Sequence, residues 1–256
     1  MGIFELFVLS IIEGFTEFLP ISSTAHLILA SNALRLVETE FIKSFTIAIQ
    51  FGAILAVVFL YGRRVLGDLD IAKKVIVAFI PTAVVGFLLY KVIKGVLFES
   101  QLVIIVALAA GGVFLIIFEY FFKEKDSSAV SMQDISYRQA FWVGCVQSLA
   151  VIPGVSRAAA TIVGGMFGGV KKMAIVEFSF VLAVPTMAAA AGYDLYKTAG
   201  SFTGDQFNLL AAGFVISFFA ALLGVKFLLN LIRHHTFTGF GIYRIAIALL
   251  FLVFLF

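Results

Sequence analysis

The amino-acid sequence predicts an all-α integral membrane protein: six transmembrane helices plus two re-entrant helical hairpins, arranged as an inverted-topology repeat. Three observations carry that prediction. Of the 256 residues, 62% are hydrophobic and only 13% charged, against roughly 25% charged in a soluble domain. Six apolar runs are long enough to cross a bilayer core, which takes about 20 helical residues. Two further apolar segments are each broken at the centre by a proline among polar residues, and they recur at a fixed offset along the chain.

The first broken segment, about 3–34, carries "FLPISST" at 18–24. Irregular backbone at membrane depth is tolerated only inside protein or beside a water-filled cavity. The segment therefore reads as a helix–turn–helix hairpin that returns to the side it entered from. Spans follow at about 41–61, 75–93 and 102–122. The polar stretch "KEKDSSAVSMQDIS", 123–136, then leads to the second broken segment, about 139–170, with "VIPGVSR" at 151–157 and the same hairpin reading. The last spans lie at about 174–196, 208–232 and 239–256. Pro20 and Pro153 are 133 positions apart, as are Ser23 and Ser156, and "FTIAI" at 45 and "FSFVL" at 178 keep that offset. The chain thus reads as a single membrane domain, 1–256, of two halves, about 1–122 and 137–256, joined by the linker 123–136. Each half holds one hairpin and three spans. Three is odd, so the second half is inverted relative to the first, an arrangement that puts a site near the bilayer midplane where the broken helices meet.

Charge sets the orientation. Arg63, Arg64, Lys73, Lys74, Lys123, Lys125, Arg138, Lys171, Lys172 and Arg233 fall on one side, with Arg35, Lys43, Lys94 and Lys197 on the other. The richer side is expected in the cytoplasm, which leaves both chain ends outside. A net charge of +3 reflects these basic loops and argues against a nucleic-acid surface. The lone Cys145 rules out an intramolecular disulfide and any cysteine-based metal cluster, and it reads as a small buried apolar residue. "AAAAG" at 188–192 reads as small-residue helix packing, and Glu177 as a surface residue near Lys171 and Lys172.

Ionisable groups at membrane depth are costly and point to function. In "EGFTEFLPISSTAH", Glu13 and Glu17 are four apart and share one helix face. Like charges so placed repel unless a cation lies between them or one is protonated, and oxygen-only ligands suit Mg²⁺ or Ca²⁺. After the break at Pro20, Ser22, Ser23 and Thr24 suit the N-terminus of a second helix, whose exposed N–H groups can bind anions. His26 follows on its first turn as a proton donor or acceptor near neutral pH. In "PGVSRAAAT", Pro153 and Gly154 break the helix, and Ser156 and Arg157 open the next, where dipole and guanidinium both favour phosphate. One half offers acid and metal, and the other an anion clamp. Together they describe phosphoryl-transfer chemistry within a membrane.

The two signature stretches resemble those of the bacterial undecaprenyl-diphosphatases, the bacitracin-resistance phosphatases. The likeness runs through "IQFGAILAV" at 49–57, "YRQAF" at 137–141 and "EFSFVLAVP" at 177–185. It implies removal of the terminal phosphate of undecaprenyl diphosphate, a lipid substrate, to recycle the carrier used in peptidoglycan synthesis. It also implies a divalent cation, a multi-pass place in the bacterial cytoplasmic membrane, and an active site facing the outer side. Membrane lipids and a second copy of the chain are the further partners it allows. The resemblance gives Glu17, Ser23, His26 and Arg157 catalytic roles, with Glu13 and Glu17 as metal ligands. Ser22, Thr24, Gly154, Ser156, Arg157 and Thr161 fall to substrate binding. The family usually reads Pro-Gly-x-Ser-Arg-Ser-Gly, whereas Ala158 and Ala159 stand here in the last two places. That change removes one hydroxyl and stiffens the turn. The competing reading is a polyprenyl-phosphate transporter or flippase, because inverted repeats with midplane hairpins also serve transport.

Overall fold

The structure, a computed structural model, describes residues 1–37, 39–97, 100–122, 129–198 and 204–255. Ten principal helices follow in order: α1 Ile3–Thr16, α2 Ser23–Ala33, α3 Glu40–Leu66, α4 Leu69–Leu88, α5 Gln101–Phe121, α6 Tyr137–Gln147, α7 Arg157–Phe167, α8 Lys172–Thr198, α9 Gly204–His234 and α10 Thr238–Leu255. Five of them, α3, α4, α5, α8 and α9, are long and apolar enough to cross a membrane, while α10 is apolar but shorter. Their starts are written locally. The hydroxyls of Thr39 and Ser100 accept from the N–H groups of Ile42 and Val103, and the carboxylate of Asp68 accepts from the N–H of Asp70, satisfying donors that a helix N-terminus leaves open.

The breaks fall where the sequence places them, between α1 and α2 and between α6 and α7. In both, the residue before the second helix is a serine at positive φ: Ser22 at 70° and Ser156 at 74°. Those serines are 134 positions apart, one more than the offset between the prolines. Tip two holds an extra residue between its proline and its serine, and Gly154 takes a φ of 97° there. A Cβ on Gly154 would also meet the carbonyl of Ile104 at 2.6 Å. The backbone counterpart of Arg157 is therefore Ser23, not Thr24 as the 133-residue register predicts.

Helices early and late in the chain pack on one another: α1 packs on α9 and α6 packs on α4. α3 meets α8, and α5 meets α10. Small residues allow the close crossings, as expected where packing rather than the hydrophobic effect joins helices. A Cβ on Gly14 would lie 2.3 Å from the Ser217 carbonyl, and one on Gly144 would lie 2.0 Å from the Ala78 carbonyl. Backbone cannot step aside cheaply, and overpacking costs about 1–3 kcal/mol. Gly14→Ala is accordingly expected to lower the thermal midpoint in detergent, and an unchanged midpoint would show that α1 and α9 have room to separate.

Several sequence readings shift. In the "AAAAG" stretch only Ala191 is buried, while Ala189 and Ala190 are exposed and a Cβ on Gly192 would touch nothing. The small residues of α9 share the packing role. Cys145 is half-buried. Glu177 pairs with Arg64 at 2.9 Å rather than with Lys171 or Lys172. The linker's described part is not a free tether, since Ala129, Met132 and Ile135 are buried and Lys171 N–H donates to the Ala129 carbonyl at 3.1 Å. Ser131 donates from hydroxyl and backbone N–H to Asp134, holding that carboxyl below the ordinary aspartate value. Residues 123–128 lie outside the described residues, as do the side chains of Lys94 and Lys197. At this same end of the bundle, Arg64 reaches the side chain of Gln133 and Lys74 its carbonyl, and Lys172 reaches the carbonyl of His235. The loops rich in Lys and Arg are thus gathered together.

Candidate active site

The two tips meet. A cavity of about 90 Å³ lies between them, lined by Glu17, Ser22, Ser23, Thr24 and Ala150, and by Ile152, Pro153, Gly154, Ser156 and Arg157. From tip one, Glu17 follows the last turn of α1, its N–H donating to the Glu13 carbonyl at 2.9 Å. Phe18 is fully buried beside it, edge-on to Phe180 with ring centroids 5.6 Å apart. That anchor holds Glu17 toward tip two. Ser23, the first residue of α2, donates its hydroxyl to Glu17 Oε2. The other oxygen, Oε1, takes Arg157 Nη2 at 3.1 Å across the interface. One carboxylate therefore holds a hydroxyl from its own hairpin and a guanidinium from the other.

Segment 139–170 contains no acid, so a buried Arg157 needs a partner from elsewhere. Glu17 is that partner. Arg157 Nη1 donates to the Ser179 carbonyl of α8 at 2.9 Å, and its guanidinium sits over the Phe18 ring at 5.8 Å. Nε–H is buried without an acceptor, which leaves one donor for an oxyanion. The Ser22 hydroxyl makes no helix-capping bond, whereas Ser156 Oγ accepts from Ala159 N–H at 3.2 Å and caps α7. The positive φ of each serine costs of order 1–3 kcal/mol and persists only where the surroundings enforce it. Here both strained residues face the same cavity.

Glu13 stands behind this layer, fully buried, and neither of its carboxylate oxygens has a hydrogen-bond partner. It interacts electrostatically with Glu17 and Arg157. An unpaired carboxylate at this depth is expensive, and a cation shared with Glu17 would relieve it. Among the described residues, no cluster of three or more His, Cys, Asp or Glu exists. Magnesium needs none, because it is commonly held by one or two carboxylates with substrate phosphates and water. The donors present fit a hard divalent cation.

Two predicted site residues are placed differently. His26 does not line the cavity. Its Nδ1 lies 2.7 Å from the Ser22 carbonyl and its Nε2 lies 2.8 Å from the Tyr243 hydroxyl. A carbonyl only accepts, so Nδ1 carries the proton, and in the neutral ring Nε2 accepts from Tyr243. Neither nitrogen bonds Ser23. His26 instead ties the first turn of α2 to α10, its ring parallel to that of Tyr243 with centroids 5.5 Å apart. Thr161 is also absent from the cavity. It is fully buried, 2.5 Å from the Ser179 hydroxyl, and its hydroxyl lies 2.9 Å from the Arg157 carbonyl. It braces the α8 backbone whose carbonyl orients Arg157. Ala158 and Ala159, where the resemblance expected Ser and Gly, are buried in the first turn of α7 and do not line the cavity.

Sequence reasoning passed over Ser179, Tyr243 and Arg244. Arg244 carried a usable signal, being the one charged residue of the apolar run 239–256. Ser179 and Tyr243 carried none, since a hydroxyl on an apolar helix is ordinarily a packing residue.

The family described as bacitracin resistance protein BacA matches residues 6–250. A protein named undecaprenyl-diphosphatase from Aquifex aeolicus is 50% identical over 247 residues, 96% of each chain. Proteins of the same name from a Sulfurihydrogenibium species and from Persephonella marina are 47% and 46% identical, over 98% and 99% of each chain. Matches of that extent leave no part of the fold or of the two tips outside the likeness, and the chain belongs to the bacitracin resistance protein BacA family.

Proposed function

We propose that the protein is a membrane phosphatase that hydrolyses undecaprenyl diphosphate to undecaprenyl phosphate and inorganic phosphate. The observation that carries this reading is Glu17, which joins the Ser23 hydroxyl to the Arg157 guanidinium at the wall of one cavity. A carboxylate accepting a serine proton is an activated-nucleophile arrangement, and an arginine opposite it is suited to a phosphoryl group. Full-length relatives named undecaprenyl-diphosphatase agree with it.

In this mechanism the terminal phosphate enters between the tips, and Arg157 exchanges part of its bond to Glu17 for phosphate oxygens. Ser23 Oγ attacks the terminal phosphorus while Glu17 takes its proton. The bond from that phosphorus to the bridging oxygen breaks, and undecaprenyl phosphate leaves. Glu17 passes that proton to the leaving undecaprenyl phosphate, then takes one from the water that attacks the phosphoserine and returns it to Ser23 Oγ as inorganic phosphate leaves. Glu13 and Glu17 would hold a divalent cation, which would supply positive charge to the site. His26 orients Ser22 and α2 rather than moving the proton.

The long apolar helices, the shorter α10 and the paired tips support six spans and two re-entrant hairpins, related as inverted repeats about 1–122 and 137–256. Gathered Lys and Arg loops support a cytoplasmic face at their end, with the cavity served from the opposite, outer side. The test is phosphate release from a polyprenyl diphosphate by purified protein in detergent, where no membrane is left to cross. Release supports the enzyme, and none would favour a transporter. A chelator is expected to abolish release and added Mg²⁺ or Ca²⁺ to restore it. Full activity in chelator would remove the metal role of Glu13 and Glu17.

A further inference from the structure

Arg244 is fully buried in α10, and every N–H of its guanidinium meets a backbone carbonyl. Nε donates to Leu108 at 3.2 Å; Nη1 to Pro20 at 3.2 Å and Val155 at 3.0 Å; and Nη2 to Ala107 at 3.2 Å and Gly154 at 2.8 Å. No donor goes to a carboxylate. An arginine kept in the interior for its charge alone would be expected to find an acid, because desolvating a lone cation is expensive. Here the donors are spent on tip one (Pro20), on tip two (Gly154, Val155) and on α5 (Ala107, Leu108). These three segments have no regular hydrogen-bonded ladder between them, and each tip carries carbonyls that its broken helix leaves unpaired. One guanidinium satisfies them together.

Room for it is also built in. A Cβ on Gly111 would lie 2.1 Å from Arg244 Nη2, and α5 and α10 cross so closely that a Cβ on Gly241 would lie 2.6 Å from the Gly112 carbonyl. The bonds to Gly154 and Val155 have a further consequence. A trans peptide turns its N–H away from its C=O, so with the Val155 carbonyl on Arg244 the Ser156 N–H points to the opposite side. Ser156 lines the cavity. Arg244 thus presents its charge to the phosphate site through a peptide dipole while never reaching the phosphate itself.

We propose that Arg244 is a positioning residue that locks the two hairpin tips to each other, setting the gap between Ser23 and Arg157 and aiming the Ser156 N–H at the phosphoryl group. The proposal rests on the phosphatase reading for its kinetic consequence, though not for its structural one. Arg244→Lys keeps the charge and loses the fork, and its three donors cannot meet all five carbonyls at once.

Three variants test it. Arg244→Lys and Gly111→Ala, the second displacing the guanidinium without removing it, are expected to lower kcat at least about tenfold while KM changes less than about threefold. Arg244→Ala is expected to regain part of its lost kcat with added guanidinium and none with methylammonium. In each variant, hydrogen–deuterium exchange should rise in segments 18–22 and 151–156 and stay unchanged in α3 and α9. Wild-type kcat in both Arg244→Lys and Gly111→Ala would overturn the lock, as would equal protection of the tips in all proteins. If Arg244→Ala does not fold, Arg244→Lys and Gly111→Ala decide. If the wild type itself releases no phosphate, the phosphatase reading falls, while exchange at the tips still decides the lock.

Discussion

Ser23→Ala is expected to slow phosphate release by at least about 100-fold, the usual scale for losing a positioned catalytic group. The Ser23 hydroxyl is the one nucleophile in the cavity that already gives its proton to a carboxylate, Glu17 Oε2. Removing it takes away the attacking oxygen and leaves the Glu17–Arg157 pair intact. Substrate should still bind, so the loss should appear in kcat more than in KM. Glu17→Gln removes the base and should match or exceed that loss. Quenched turnover with a diphosphate labelled at its terminal phosphorus should trap label on the wild type and none on Ser23→Ala. A Ser23→Ala enzyme with a near-normal rate would transfer the attack to a water held by Glu17.

Arg157 should show the second large effect, and with it a stability signature. Arg157→Lys keeps a charge near Glu17 but loses the paired donors that reach Ser179 and Glu17. Activity is expected to fall about 100-fold or more, in line with removal of a positioned transition-state donor. Arg157→Ala should be lower still. It also leaves Glu17 without its partner at a position where the two side chains are only 9% and 11% exposed. Breaking a buried pair from one side costs about 3–5 kcal/mol, so the alanine variant should melt earlier. The double variant Arg157→Met with Glu17→Gln removes both charges and should recover stability without recovering activity. Recovery of both, or wild-type turnover in Arg157→Lys, would reduce the arginine to a structural counter-ion.

The large outlines were legible because each rests on local chemistry. Apolar runs, two prolines inside apolar segments, and acids and an arginine at those breaks can be read one segment at a time. The absence of any acid in 139–170 even required that Arg157 be answered from outside its own hairpin, and Glu17 answers it. What the sequence left open depended on a neighbour distant in sequence. His26 reads in sequence as a proton donor or acceptor on the first turn of α2, and its second nitrogen is met by Tyr243, 217 residues away. Thr161 falls to substrate binding by resemblance, and its hydroxyl lies against that of Ser179. The repeat register slipped by one because a single inserted residue at a tip leaves the proline pattern intact while shifting the helix behind it.

By itself, the sequence determined that this is a helical membrane protein with two apolar segments broken at a proline, and it put acids, serines and an arginine at those breaks. Burial in an apolar medium leaves few ways to satisfy a backbone or a charge, so composition and helix breaks speak strongly. Tertiary structure alone decided which hydroxyl meets Glu17, which residues only hold others in place, and that Arg244 ties the tips together. Those outcomes depend on hydrogen-bond geometry between segments more than a hundred residues apart. No local propensity encodes such a distance; only the packed helices bring five carbonyls to one guanidinium.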